Sequence, residues 1–370
     1  MYIHVPFCVR RCSYCDFAVT ATREPPEIAW LDSIVAEAEA HCRREAWSGP
    51  FDVGTVYVGG GTPSLLGRGV MAEVTRRLAP WIRWSAGSVE WTVEANPESF
   101  TPDLAEDWRR AGVGRVSLGA QTFHEPALRW MGRMHGVEGP VRAVTAARAA
   151  GIENVSIDLM FGLPARLGRD WTTDLDRTLA LEPEHISLYG LTAEPATPLG
   201  RWVAAGREQL ADEERYREEY LEAADRLARE GYVQYEVSNF ARPGLESRHN
   251  CAYWEGAPYL GLGPGAHSSL PPRRFWNTRD WAAYRARLAA GESTIDGEET
   301  VAPEMAVLER LWLGLRQAGG VTGLTPGQLR VAEIWGRQGW AELSRDRVRL
   351  TPEGWLLLDR LVVELESAAA

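Results

Sequence analysis

The 370-residue sequence contains no lysine, and its 40 basic residues are therefore all arginine. This absence excludes an enzyme that forms a Schiff base through a lysine, and it excludes a Walker-type phosphate-binding loop, which requires one. The net charge is −11, which disfavours a general nucleic-acid-binding protein. We therefore expect no nucleic-acid partner.

Long apolar runs are missing as well. No stretch has the length of a membrane span, and the opening MYIHVPF predicts a strand rather than the charged and apolar regions of a signal peptide. We expect a cytoplasmic protein, because a reducing compartment also keeps thiols free.

Cysteine is scarce, yet three of the five cysteines lie within the eight residues of CVRRCSYC, at Cys8, Cys12 and Cys15. A disulfide between such close neighbours would constrain little, so the cluster of thiols favours a metal or iron–sulfur site. The C-x3-C-x2-C spacing favours a [4Fe–4S] cluster with its fourth iron open to an external ligand. Zinc is the alternative, and it would need a fourth ligand such as His4.

Short β-branched runs alternate with long amphipathic segments, a pattern typical of α/β proteins with a parallel sheet. Six such units are too few for a closed eight-fold barrel, so we predict a partial, TIM-like (β/α)6 barrel. We place this barrel at 1–240, a connecting Gly-rich segment at 241–298, and a mostly helical, winged-helix-like module at 299–370. The predicted strands begin at Tyr2, Thr55, Val89, Arg115, Asn154 and His185.

Polar residues and glycines follow several of these strands. Gly59 to Gly61 follow the second strand, Glu94 closes the third, Gln121 follows the fourth, and Asp158 lies in the fifth. Active sites of parallel α/β barrels lie at the carboxyl ends of the strands, so these residues favour a polar ligand there. Each acid could equally be a structural group satisfied by its neighbours.

Several motifs together resemble those of a known family. The cysteine motif resembles that of radical S-adenosylmethionine (SAM) enzymes, and six further motifs resemble the oxygen-independent coproporphyrinogen III oxidase family. These motifs are YIHVPFC, GGGTPS, EANPE, SLGAQTF, IDLMFGLP and HISLYGL.

The resemblance implies a radical SAM barrel in which Cys8, Cys12 and Cys15 hold a [4Fe–4S] cluster. The open iron would chelate the amino and carboxylate groups of SAM, and the cofactors would carry the radical chemistry. An electron donor such as flavodoxin or ferredoxin is implied as a partner. The residues implied to contact SAM or to lie beside it are Tyr2, Tyr14, Phe17, Gly60, Gly61, Thr62, Glu94, Gln121, Arg133 and Asp158.

Two departures indicate the haem-chaperone (HemW-like) branch of this family. Decarboxylating members carry an additional cysteine where this chain has Phe17, and they carry an N-terminal extension where this chain begins seven residues before Cys8. The segment RHNCAYW also matches the HNxxYW motif of the chaperone branch. The residues implied to bind haem are His249, Asn250, Tyr253 and Trp254.

Spacing alone would favour a structural role for His249, hydrogen-bonded into a loop, and the resemblance reverses that preference. Cys251, within the same motif, is interpreted as a buried free thiol rather than as a second iron ligand.

The sequence is compatible with two functions. The favoured one is a haem chaperone that binds a cluster, SAM and haem as cargo, and delivers haem to recipient proteins, with peripheral membrane association as a further expectation. The alternative is a coproporphyrinogen III oxidase that makes protoporphyrinogen IX by radical oxidative decarboxylation. Whether the chain is an enzyme is therefore left open.

Overall fold

The computed structural model describes residues 1–84 and 89–368. The strands are β1 Tyr2–Val5, β2 Phe7–Cys8, β3 Thr20–Ala21, β4 Phe51–Asp52, β5 Thr55–Gly60, β6 Ile82–Arg83, β7 Glu90–Ala95, β8 Arg115–Gln121, β9 Asn154–Phe161, β10 His185–Gly190, β11 Val233–Glu236, β12 Asn239–Ala241, β13 Gly261–Leu262, β14 His267–Leu270, β15 Arg273–Asn277, β16 Ile295–Thr300, β17 Ala341–Ser344 and β18 Arg347–Leu350. The helices are α1 Glu27–Arg44, α2 Val70–Leu78, α3 Pro102–Ala111, α4 Glu125–Met131, α5 Gly139–Ala149, α6 Trp171–Leu179, α7 Pro198–Ala204, α8 Glu213–Arg229, α9 Arg248–Trp254, α10 Trp281–Ala289, α11 Pro303–Leu315, α12 Pro326–Arg337, α13 Pro352–Trp355 and α14 Leu358–Ser367.

The chain forms two compact units. The first comprises Met1–Glu184, Tyr189–Ala211 and Pro258–Thr300, and the second comprises His185–Leu188, Asp212–Ala257 and Val301–Ala370. The three-part division predicted from the sequence stays a prediction, and its last two residues, 369–370, lie outside the described residues.

The first unit is built on parallel strands in the order β9–β8–β7–β5–β1–β13. Side chains alternate between the two faces of a strand, and here the alternation separates polar from apolar residues. One face is apolar and buried: Ile3, Val5, Val56, Val58, Trp91, Val93, Val116, Leu118, Val155 and Ile157. We call the other face the polar face. Residues paired across neighbouring strands form two rows on it: first Tyr2, Tyr57, Thr92, Arg115 and Asn154, and then His4, Gly59, Glu94, Ser117 and Ser156. Asp158 follows Ser156 on the same face of β9.

The polar face is unusual for a barrel-like sheet, because the interior side chains of such sheets are mostly branched and apolar. Polar groups in a sheet interior cost free energy unless they find hydrogen-bond partners. This face is therefore where the first unit is expected to bind a polar ligand.

The second unit contains an antiparallel strand arrangement and the C-terminal module. Residues 185–187 of β10 pair with β12, and β12 pairs with β11. The C-terminal module packs α11, α12 and α14 with the β17–β18 hairpin around a core that includes Leu315, Trp335, Val348 and Leu361. Helices with a two-stranded wing match the winged-helix-like module that was predicted.

The fold class predicted from the sequence is confirmed, and all six predicted strands are present as β1, β5, β7, β8, β9 and β10. One local prediction was wrong: the HNCAYW segment is not a loop but lies in α9. The hydroxyl of Ser247 accepts a hydrogen bond from the backbone N–H of Asn250 and caps this helix, which explains why a short helix forms there. Within residues 1–84 and 89–368, no helix has the length and apolar character needed to cross a membrane.

Candidate metal centre and cofactor site

The three clustered cysteines begin at the end of β2 and continue into the following loop. The loop is closed by the parallel pairing of β2 with β3 and by a hydrogen bond of 2.8 Å from the N–H of Thr22 to the carbonyl of Cys8. All three thiols are free and half-buried. The donor set is therefore three soft sulfur ligands on one short loop.

The thiols influence one another electrostatically. The pKa of Cys8 is raised to about 11, mainly by burial and to a smaller extent by the nearby Cys15 and Cys12, and the hydroxyl of Thr62 opposes the shift. Burial also raises the pKa of Cys15. A metal that binds thiolates would stabilise the ionised forms and offset this rise in pKa. Across residues 1–84 and 89–368, however, no three His, Cys, Asp or Glu side chains already stand in metal-ligand geometry.

His4, considered above as a fourth zinc ligand, has both ring nitrogens engaged. Nε2 lies 2.8 Å from the carbonyl of Ala18, and Nδ1 lies 2.9 Å from the hydroxyl of Tyr2. Burial lowers the pKa of His4 to about 4, so the ring is neutral at physiological pH. His4 is thus not available as the fourth ligand of a zinc site, and the three thiols suit a cluster with one open iron better.

The GGGT segment runs directly against the cysteine loop. The N–H of Gly61 donates to the carbonyl of Val5 at 2.7 Å, and a Cβ at this position would lie only 2.6 Å from the carbonyl oxygen of Phe7. Gly60 has a φ of +108°, and a Cβ there would lie 2.3 Å from the ring of His4. Side chains are excluded at both positions, so backbone groups line this part of the site.

Glu94 is held by the polar face rather than left free. Its carboxylate accepts a hydrogen bond of 2.8 Å from the hydroxyl of Tyr57 and one of 2.9 Å from the N–H of Gly60. Burial raises the pKa of Glu94 to about 7, and these hydrogen bonds oppose the shift. The side chain is therefore a carboxyl that can change protonation when a cation or a donor binds.

Asp158 lies one level further along the same face. Its Oδ1 accepts a hydrogen bond of 3.0 Å from the hydroxyl of Ser117. Tyr2 stacks on Tyr57 with ring centroids 6.2 Å apart, below Glu94 on the same face. The sheet register thus brings Tyr2, Glu94 and Asp158 to one face.

Gln121 ends β8 with a φ of +67°, where the register between β8 and β9 shifts. The next two residues are fixed by the buried Asp174, which accepts hydrogen bonds of 2.7 Å from the hydroxyl of Thr122 and 2.6 Å from the N–H of Phe123. A left-handed conformation at a non-glycine residue is costly, and this anchoring stabilises it.

Arg133 reaches the same region from the segment after α4. Its Nη2 donates to Asn96 at 2.9 Å and also to the carbonyl of Gly119, and the guanidinium lies beside Tyr14 and Cys12. Its buried Nε has no partner among the described residues. Arg133 is thus a cation next to the cysteines with one donor still available.

The two aromatic residues of the cysteine loop differ in position. Tyr14 packs against an apolar cluster that contains Met131, Met160 and Leu191. Phe17 is 60% exposed, although the N–H of its backbone faces Cys15. Tyr14 also lies near Cys12, Cys15 and Arg133, whereas the ring of Phe17 is exposed to solvent.

The four residues of the HNxxYW motif lie in the second unit, on α9. His249 and Tyr253 are one turn apart, with Nε2 and the hydroxyl separated by 3.0 Å and with the rings in edge contact. Asn250 donates to the hydroxyl of Tyr235 at 3.3 Å, and Arg316 lies over the ring of Trp254, 4.8 Å from its centroid. Histidine and aromatic groups are therefore held close together on one helix.

Several polar residues of these regions were not found from the sequence. Tyr57, Asn96 and Arg115 in the first unit bring polar atoms to the polar face or to its edge, and the buried Glu236 lies near Asn250 in the second. EANPE was recognised as a motif, yet only its first residue was assigned a role. For Tyr57 and Arg115 the only available signal was a polar residue inside an apolar strand.

Comparison with known proteins places the chain among characterised families. The Radical SAM superfamily model matches residues 2–176. The chain is 33% identical to the "Heme chaperone HemW" of Bacillus subtilis, over 96% of both proteins. It is 35% identical to the protein of the same name from Mycobacterium tuberculosis, over 98% of this chain and 93% of that one.

Among solved structures, the chain resembles the coproporphyrinogen III oxidase (HemN) of Escherichia coli with a TM-score of 0.82. The match covers 99% of this chain and 89% of that one. The sequences are only 20% identical, so this likeness shows the fold alone.

Proposed function

Because the chain belongs to the radical SAM superfamily, in its haem-chaperone (HemW-like) family, we propose that it binds a [4Fe–4S] cluster, SAM and haem and delivers haem to recipient proteins. The observation that carries the haem assignment is the HNCAYW motif on α9, in a chain whose relatives are named haem chaperones over nearly their whole length.

Cys8, Cys12 and Cys15 would be the three protein ligands of the cluster. Three free thiols on one loop, with both ring nitrogens of His4 engaged elsewhere, support this assignment over zinc. When bound, the cluster would supply the electron that radical SAM chemistry requires. The protein would contribute thiolate ligation and a partly buried setting.

SAM would bind against the polar face and the GGGT segment. The half-buried backbone at Gly60 and Gly61, the carboxyl of Glu94 and the amide of Gln121 offer partners for its amino and carboxylate groups. Arg133 offers a cation whose Nε has no partner among the described residues. The described carboxylates suit the cationic amine and sulfonium of SAM, and Tyr14 offers an apolar surface. Thr62, Asp158, Tyr2 and Phe17 complete the proposed set.

Haem would be bound as cargo through the second unit. A neutral imidazole is a suitable axial ligand for haem iron, and Tyr253 and Trp254 supply flat apolar surface for the macrocycle. In the described structure Nε2 of His249 hydrogen-bonds with Tyr253. Iron ligation through that nitrogen would replace this hydrogen bond, with Asn250 holding the helix to Tyr235.

The proposal is tested with the full chain after anaerobic cluster reconstitution. We expect one haem per chain by absorbance titration, a strong loss in His249→Ala, and no loss in His267→Ala, a matched change at an exposed histidine stacked on Trp276. Equal loss in both variants would mean nonspecific haem binding and would contradict the assignment. Transfer is followed by mixing the haem-loaded chain with an apo-haemoprotein and recording the acceptor's absorbance.

The same preparation is incubated with SAM, a reductant and coproporphyrinogen III. The chaperone proposal predicts no protoporphyrinogen IX, consistent with Phe17 at the position where decarboxylating members carry a further cysteine. Repeated turnover, with 5′-deoxyadenosine formed in step, would replace the proposal with the oxidase function.

A further inference from the structure

A continuous line of hydrogen bonds joins the guanidinium of Arg133 to the thiol of Cys8. Nη2 of Arg133 donates to Oδ1 of Asn96 at 2.9 Å. Nδ2 of Asn96 donates to Oγ1 of Thr62 at 3.2 Å. The hydroxyl of Thr62 then donates to Sγ of Cys8 at 3.4 Å.

Every donor in this line points the same way. Arginine has no acceptor atom, so Asn96 must present its oxygen to Arg133 and its NH2 group to Thr62. The hydroxyl of Thr62 has one proton, and because its oxygen accepts from Asn96 that proton is directed to the sulfur. The positive end of the line is therefore the guanidinium, and the end that accepts the last proton is the sulfur of Cys8.

The middle of the line is held rigidly. Thr62 is buried, with its N–H bound to the carbonyl of Phe7 at 2.8 Å. The N–H of Asn96 donates to the hydroxyl of Ser64 at 3.0 Å, and its carbonyl accepts from the N–H of Ser99 at 3.0 Å. The turn after β7 thus fixes the amide of Asn96 between the arginine and the threonine.

We propose that Thr62 and Asn96 form a hydrogen-bond relay that raises the reduction potential of the cluster bound through Cys8. The inference rests on the proposed function, because it requires the cluster. A hydrogen bond to a ligating sulfur stabilises the more negative, reduced cluster, and outer groups of this kind tune metal sites. A cation at the far end polarises the relay and strengthens the last hydrogen bond. Asn96 is a positioning residue in this scheme, since it acts through Thr62.

The test is a redox titration of the anaerobically reconstituted full chain, followed by electron paramagnetic resonance. Thr62→Val removes the donor at nearly constant volume, and we expect a shift of the potential to a more negative value. Asn96→Ala leaves the hydroxyl free to rotate, and we expect a smaller shift in the same direction. Thr62→Ser keeps the donor and should keep the potential of the unmodified protein.

Ser99→Ala is the matched control, because it removes side-chain hydrogen bonds to Ser64 and to the carbonyl of Asn96 in the same turn but none of the three hydrogen bonds of the relay. It should leave the potential unchanged. Full iron content with an unchanged potential in both Thr62→Val and Asn96→Ala would overturn the relay while leaving the cluster assignment intact. Loss of iron in both variants would also overturn it, because the two residues would then be required to hold the cluster rather than to set its potential.

Failure of the proposed function has a different signature. The unmodified chain would then hold no iron and sulfide after reconstitution, before any variant is compared. If Thr62→Val alone fails to hold the cluster, the potential of Asn96→Ala decides: a negative shift supports the relay, and an unchanged potential overturns it.

Discussion

The two candidate sites are assembled in opposite ways. The cofactor site of the first unit draws its residues from Tyr2 to Asp158, and the register of parallel strands brings them to one face. The haem motif of the second unit lies within the single helix Arg248–Trp254. A sheet register relates residues that are far apart in the sequence, whereas a helix relates positions i and i+4 by itself.

This difference predicts which substitutions should impair each site. The first site depends on close packing of the backbone at Gly60 and Gly61 and on side chains from several strands. A substitution in any of these segments should therefore weaken ligand binding there. The second depends on one capped helix and on the side chains that contact it, such as Tyr235 and Arg316. Changes in one site should therefore leave binding at the other intact, and the following predictions test that separation.

The largest effect is expected from Cys12→Ala. Removing one of three thiolates should reduce the iron content from about four per chain to near zero, measured with sulfide after anaerobic reconstitution. Haem binding should persist, because its residues lie in the other unit. Cys42→Ala, in α1, is the control and should retain the cluster. Loss of haem binding in Cys12→Ala would break the separation of the two sites.

Gly60→Ala should destabilise the first unit strongly. Its φ of +108° is unfavourable for alanine, and the new Cβ would meet the ring of His4 at 2.3 Å. Strain and overpacking together should cost roughly 2–4 kcal/mol in the free energy of unfolding, measured by urea titration. Gly69→Ala isolates the backbone contribution, because its φ is +82° but nothing lies within 4 Å, and it should cost only about 1–2 kcal/mol. Equal costs would show that contact with His4 contributes nothing.

Asp158→Ala should weaken SAM binding without removing the cluster. Loss of a charge-assisted hydrogen bond corresponds to about 1.5–3 kcal/mol, or about tenfold or more in affinity. Calorimetric titration of the reconstituted protein measures it, with iron content as the control. An unchanged affinity would return Asp158 to a structural role on the polar face, bound to Ser117.

The last prediction concerns the pH dependence of stability and applies to both units. Burial raises the pKa of Glu94 in the first unit and of Glu236 in the second to about 7, from an ordinary value of 4.5. Between these values the folded chain binds more protons than the unfolded chain, so the free energy of unfolding should fall as pH rises from about 4.5 to about 7 and then level off. Glu94→Gln and Glu236→Gln should each make this fall shallower in urea titrations at several pH values. A variant with an unchanged slope would mean that its carboxyl is already ionised in the folded state.

Much of the first unit was predictable because its signals are local. β-Branched runs mark the six strands, and residues at the ends of parallel strands were expected to share one edge, as Glu94 and Asp158 share the polar face. The partners of those residues were not predictable. Tyr57 reaches Glu94 only because β5 and β7 pair with Val58 opposite Val93, and nothing in either segment specifies that register.

The helical state of HNCAYW was missed for a related reason. Histidine, asparagine, cysteine and aromatic residues have weak helix propensity, and the neighbouring Gly-rich run suggested a loop. The deciding residue is Ser247, whose capping role is visible only when the next turn is known to be helical. The relay through Asn96 depends on contacts between four separate segments, so no periodicity in the sequence could indicate it.

The strict division of the parallel sheet into a polar and an apolar face also limits how the sequence can change during evolution. Insertion of one residue within β7 would turn Glu94 toward the apolar side and Val93 toward the polar side, since side chains alternate along a strand. Insertions and deletions should therefore be tolerated in the connections between strands and eliminated by selection within the strands. In a library of single-residue insertions selected for folded protein, few variants should be recovered with insertions in Thr55–Gly60, Glu90–Ala95 or Arg115–Gln121.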